Sequence, residues 1–270
     1  MKSLFIGFIV FFFTACSSGK KIHLPLYPGG TDRIGGKAFF EKVTSWGWKQ
    51  RDSLAVKEIL AGNIPDFLRK FIPVNTQVKD STGKLYKAVF YVSPDYISIG
   101  TDKDFARVPL TPMAAQLIAD SFSCFLPTKK MVDIIYGQAK VKLEPMPMFA
   151  YRDSAVTMWQ HHLIIEGQRQ GRQGLIAGIK KDIVTSIKMF SDPKQDRVAI
   201  YGWQMPGGKP IQPLYTRHVN WYTDYSHGAR LVYRKIKIDG REMDYESVLI
   251  HPLLHTLLSD EGMGFFKYPY

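Results

Sequence analysis

Cysteine is almost absent from this chain: 270 residues carry two, Cys16 and Cys124. That excludes a disulfide scaffold and a thiolate metal cluster. No apolar run reaches the roughly 20 residues a membrane-crossing helix needs; the conspicuous one, Leu4 to Phe13, is about half that length. Acidic residues are scarce beside basic ones, 24 against 36, for a net charge of +12. Such a balance favours polyanionic neighbours: lipid headgroups, acidic polysaccharides, teichoic or nucleic acids. Helix-turn-helix and RNA-binding patterns are missing, so nucleic acid is not an expected partner. There is no internal repeat, no low-complexity run and no His-Glu-x-x-His.

The chain does have a core. Hydrophobic residues make up 45% and aromatics 13%, which excludes disorder. Helical patterns cover 37–45, 52–60, a short piece from Ile64 to Phe71, 113–121, 129–139 and 154–169, with a last one over 246–258 broken at His251-Pro252. Thr111, Thr128 and Ser154 stand at cap positions. Strand patterns cover 74–79, 85–92, 96–100, 179–187, 197–203 and 230–238, the last running into an Asp239-Gly240 turn. The order predicts an α+β fold, a mostly antiparallel sheet with flanking helices. One domain is expected over 37–270, with a possible seam near 144–152, where Glu144-Pro145-Met146-Pro147-Met148 reads as extended.

Met1-Lys2-Ser3, the apolar run and Phe13-Thr14-Ala15-Cys16 resemble the lipobox signal of bacterial lipoproteins. The resemblance implies a signal peptide over 1–15, acylation of Cys16 and a tether over 16–36, hence lipid anchoring in a bacterial cell envelope. Phe13 stands where that family usually has Leu. With Cys16 acylated, Cys124 has no disulfide partner and is either a buried apolar thiol or a reactive one.

Tyr215 to Arg234, YTRHVNWYTDYSHGARLVYR, is the densest polar and aromatic stretch. His227 is the candidate general acid or base, Asp224 its orienter, and Cys124 or Ser226 the nucleophile. On strand parity Asp224 and Ser226 share one face with Tyr222, and His227 shares the other with Tyr225 and Trp221. Gly228 would permit a bulge that re-aims His227. Arg230, or Lys180-Lys181, suits an anionic group, and Trp203, Trp221, Tyr222 and Tyr225 suit stacking on sugar rings. His162 and Glu166, four apart on a helix, are the weak metal candidates, and no cofactor is expected.

Ser226-His227-Gly228-Ala229-Arg230 resembles part of the L,D-transpeptidase signature, with Ala229 at the nucleophile's place. A Cys124-His227-Asp224 set would resemble papain-like cell-wall peptidases. Arg197, however, stands where that family has its His, and Ser123-Cys124-Phe125 stands where it has Asp-Cys-Ser. Leu126 to Asp133 and Trp221 to Gly228 are similar to strings in an uncharacterised family of exported bacterial proteins, which implies a grouping and no activity. The expectation is an envelope lipoprotein that hydrolyses a cell-wall or glycan polymer through His227. The alternative is a non-catalytic lipoprotein that binds such a polymer.

Overall fold

The computed structural model describes residues 20–21, 24, 33–191 and 194–270; the signal peptide, Cys16 and most of the tether lie outside the described residues. The fold is α+β. Its largest sheet contains seven strands, all antiparallel. Lys70–Lys79 and Leu85–Val92 form its long hairpin, and Lys20–Lys21 pairs with the start of the first of these. Val232–Tyr233 and Lys235–Ile238 border Leu85–Val92, and Cys124–Phe125 pairs with Val232–Tyr233. Arg241–Asp244 completes the sheet.

A smaller sheet has the order Pro210–Val219, Arg197–Gln204, Lys181–Ile183, His227–Gly228. Its last pairing is parallel, opposing His227 to Lys181 and Gly228 to Asp182. Helices Gly36–Lys42, Trp48–Leu60, Pro112–Ser121 and Ala155–Arg169 supply residues to the core that includes Ile183, Val198 and Ile200 of this sheet. Helices Lys129–Gln138 and Tyr245–Leu249 pack on the apolar face of the large sheet, where Met131, Ile135 and Val248 meet Val74, Phe90 and Ile236.

Local chemistry explains the element ends. Thr111, Thr128 and Ser154 each accept a backbone N–H of the following first turn, as cap residues should. Gln170, left-handed at φ 49°, closes the long helix. Several expectations are corrected, among them the 230–238 strand, which divides into Val232–Tyr233 and Lys235–Ile238. The short helix reaches only Asp66–Arg69 and is 3-10. The strand begins at Lys70 rather than Val74, since Pro73 holds Ile72 extended. The 179–187 strand shrinks to Lys181–Ile183, after a turn at Gly178 whose φ of 104° only glycine adopts readily.

The final helix stops at Leu249, ahead of Pro252, and resumes as a 3-10 turn at Leu254–Leu257. Among the described residues no helix is long and apolar enough to cross a membrane.

Candidate functional site

The Tyr215–Arg234 stretch crosses the small sheet rather than forming one strand. It leaves Pro210–Val219, turns where Tyr222 N–H donates to the Val219 carbonyl, and re-enters at His227–Gly228. Asp224 builds the re-entry. Its Oδ1 accepts the Ser226 backbone N–H at 2.8 Å and the Ser226 hydroxyl at 2.6 Å, while its carbonyl accepts the His227 N–H at 3.1 Å. This is the side-chain-to-backbone turn that a short carboxylate favours. Oδ2 takes the Arg152 guanidinium at 2.8 Å and the Tyr222 hydroxyl at 3.4 Å.

Gly228 makes no bulge. It lies in regular pairing, and a Cβ there would meet Tyr96 Cδ1 at 2.5 Å and Lys180 Cβ at 2.9 Å. The glycine is required for close approach, and the re-aiming of His227 comes from the Asp224 turn. Strand parity across 220–226 is overturned for the same reason. His227 faces Tyr222 at 6.3 Å and His218 at 6.5 Å between ring centroids. Tyr225 is turned inward against His161 at 4.8 Å.

The rings form a file. His218 lies 4.9 Å from Tyr215 and 6.1 Å from Tyr222, with His227 behind them and only 3% exposed. Burial lowers the His227 pKa to about 4; Asp224 opposes this, while Lys181, His218 and Lys180 reinforce it. His218 is lowered too, by burial and then by Lys181. Both imidazoles are neutral at physiological pH. Asp224 behaves oppositely. Burial works against its ionisation, but His227, the Ser226 donors and Arg152 outweigh burial and hold the carboxyl below the usual range. Opposite His227, Lys181 extends its ammonium over the Trp203 ring, 4.9 Å from the centroid. Burial lowers its pKa, with Asp224 acting against the shift.

Several polar atoms here lack a hydrogen-bond partner among the described residues, including Asp182 Oδ1 opposite Gly228. Lys181 has no carboxylate within bridging distance among the described residues. Arg152 Nε, Trp203 Nε1 and Thr223 Oγ1 are buried without a hydrogen-bond partner among the described residues. Buried polar atoms normally find partners, so a group of unmatched donors beside a neutral imidazole pair suits an incoming acceptor.

The remaining expected site residues lie elsewhere or are already occupied. Cys124 is in the large sheet, buried in apolar surroundings, with Sγ donating to the Phe122 carbonyl at 3.4 Å and its thiol pKa pushed up by burial. It is the buried apolar thiol of the two expected forms. Ser226 is fully buried and its hydroxyl is donated to Asp224.

Arg230, 1% exposed, donates to the carbonyls of Ser93 at 2.9 Å and Ile176 at 2.6 Å and lies over Tyr96. Its guanidinium holds segments together and lies 3.7 Å from the Asp182 carboxylate. Trp203 and Tyr225 are buried, Tyr222 is half-buried and Trp221 is exposed, so only the last two offer ring surface to solvent. His162 and Glu166 do share a neighbourhood, but around a cation. Arg107 lies 3.3 Å from His162 Nδ1, donates to Glu166 Oε1 at 2.8 Å and pairs with the fully buried Asp95. Among the described residues, no three His, Cys, Asp or Glu side chains gather as metal ligands would.

Sequence reasoning missed Arg152, which comes from a segment without regular structure at the foot of the long helix. It named Lys180 as a partner for an anion and missed its place inside the fold. That side chain is buried, donates to the Tyr225 carbonyl and lies 3.2 Å from His161 Nδ1, and burial lowers its pKa to about 7. Only the run Lys180-Lys181-Asp182 hinted at either lysine. Comparison of the chain with protein-family models, curated proteins and solved structures gave no match.

Proposed function

We propose that the protein is an envelope lipoprotein, anchored through Cys16, that binds an anionic cell-wall or glycan polymer without cleaving it. The site is the end of the small sheet bounded by Lys181, Arg152, His218, Tyr222 and His227. One observation carries this reading: beside the ring file Lys181 pairs with no carboxylate among the described residues, and Arg152 Nε, Trp203 Nε1 and Thr223 Oγ1 lack hydrogen-bond partners there. A carboxylate or phosphate on the polymer would pair with Arg152, whose side chain is 41% exposed, and with Lys181 behind it, and the net charge of +12 would draw it in. Neither Cys124 nor Ser226 is presented to His227, so a covalent nucleophile is not part of the reading.

A hydrolytic reading is favoured by a different observation. His227 is a neutral imidazole beside an ionised Asp224, the protonation state of a general base acting on water. The test between binding and no binding is co-sedimentation of the full chain in detergent with purified peptidoglycan sacculi. Lys181→Met keeps the aliphatic stem against Trp203 and removes the charge. The expected result is retention of the wild type that weakens with salt and a loss of roughly tenfold in the variant. Salt-independent retention, equal in both proteins, would overturn the reading.

A further inference from the structure

Among the described residues, the two most exposed large hydrophobic side chains lie on one segment that touches the candidate site. Phe149 is 90% exposed and Tyr151 83%, and Met146 nearby is also exposed. Isolated exposed apolar residues need no explanation, but these lead directly into Arg152, the residue that pairs with Asp224 at 2.8 Å.

The segment is not loose at this end. Met148 N–H donates to the Tyr225 hydroxyl at 2.6 Å, the Arg152 carbonyl accepts the Tyr225 N–H at 3.0 Å, and the Tyr151 carbonyl accepts the Ser154 N–H at 3.0 Å. Tyr151 itself is held at φ 47°, a left-handed conformation that costs an aromatic residue energy. Two rings are thus kept in water on a segment pinned on both sides to the wall of the site.

We infer that Phe149 and Tyr151 form an aromatic rim that stacks on the sugar rings of the polymer while its anionic groups reach Arg152 and Lys181. The inference rests on the binding reading above and adds the chemical class of the ligand: a carbohydrate chain carrying carboxylates or phosphates.

The observations favour a sugar polymer over a bilayer. Glu144 and Asp153 end the segment, and the Arg152–Asp224 pair lies directly behind it. Sinking the two rings into hydrocarbon would drag these charges towards low dielectric, which is costly. A sugar ring has an apolar face for an aromatic ring and a polar edge for the charges, so it matches both features without that cost. Phe149 and Tyr151 precede the cation Arg152, and across its pair with Asp224 the file Tyr222, His218 and Tyr215 follows, which gives a chain-like ligand several stacking positions.

The experiment uses the full chain in detergent and three probes: purified sacculi, soluble sacculus fragments obtained by muramidase digestion, and vesicles of neutral lipid with anionic phosphatidylglycerol. Phe149→Ser with Tyr151→Asn removes both rings; Asn tolerates the left-handed backbone. Phe149→Tyr with Tyr151→Phe keeps both ring faces. The prediction is that the ring-deleting pair loses on the order of tenfold or more in affinity for sacculi and fragments, and that the ring-swapping pair retains it. Both should keep the wild-type melting temperature, since both side chains are solvent-exposed.

If the wild type binds sacculi and the ring-deleting pair binds equally well, the rim is wrong while the binding reading stands. If the wild type binds no sacculi or fragments, both fail. If it binds vesicles alone, and the ring-deleting pair loses that binding, the segment is a membrane contact and the sugar assignment is overturned.

Discussion

The hydroxyl of Ser226 donates to Oδ1 of Asp224 at 2.6 Å, and the backbone N–H of Ser226 donates to the same oxygen at 2.8 Å. That pair of bonds fixes the turn that carries the chain into His227–Gly228 and commits the serine to a structural task. A hydroxyl that gives its proton to a carboxylate inside the fold is not a nucleophile waiting for a base. Ser226→Ala should therefore behave as a stability variant. Losing a donor to a buried, ionised acceptor costs about 1–3 kcal/mol, which urea unfolding reads as a lower midpoint at unchanged slope. Serine-directed phosphonate reagents should leave the folded wild type unlabelled.

Cys124 gives a parallel expectation. Its thiol is buried among apolar side chains, and burial pushes its pKa up. In the folded protein it should resist Ellman's reagent, and it should react at the ordinary thiol rate once the chain is unfolded. Fast labelling of Cys124 in the native state would contradict its place in the core.

Arg107 is the test of the buried charge network. It pairs with Asp95, which is fully buried, and with Glu166, and its Nη1 lies against His162. Arg107→Leu leaves the Asp95 carboxylate without its cation in a dry site, and breaking a buried pair in this way costs roughly 3–5 kcal/mol. Arg107→Leu with Asp95→Asn should recover part of the loss, and a double-mutant cycle in urea measures the coupling.

Three buried imidazoles set the acid response. Burial lowers the pKa of His227 to about 4 and of both His161 and His162 to about 2, all from 6.5. Below pH 6.5 the unfolded chain binds protons at these positions that the folded chain does not. Stability therefore falls as pH drops from about 6.5 towards 4. Asp182 acts in the opposite direction. Burial raises its pKa to about 7, so between 3.8 and 7 the folded state holds a proton that the unfolded state has lost. Burial raises the pKa of the Asp52 carboxyl as well, and it lowers the pKa of His218 as well; four histidines against two aspartates leave a net loss on acidification. Unfolding free energy measured by urea at pH 5.0 and 6.5 should be lower at pH 5.0, and His227→Asn should flatten the difference.

How much of this was legible in the sequence depends on the range of the interaction. The caps at Thr111, Thr128 and Ser154 act over three residues, and each is readable from the sequence alone. The strand Leu85–Val92 alternates strictly enough for its ends to be read as well. The bond between Asp224 and Ser226 was half legible, since parity put them together, although a turn and not a strand joins them. The rest of the site depends on distant residues. Arg152 reaches Asp224 from 72 positions upstream, counting 224 − 152, with no periodic pattern to announce it. Arg230 sits in a run of plausible ligands, and only its neighbours, Ser93, Ile176 and Tyr96, reveal that it is buried and occupied.

The central claim is that the His227 site binds polymer and does not cut it. The most direct test is chromatography of material released when purified sacculi are incubated for a day with the full chain, beside His227→Ala and a no-protein control. The account predicts no release above the control for either protein, with wild type remaining bound to the pellet. Fragments that accumulate with the wild type and disappear with His227→Ala would contradict it and make His227 a catalytic base.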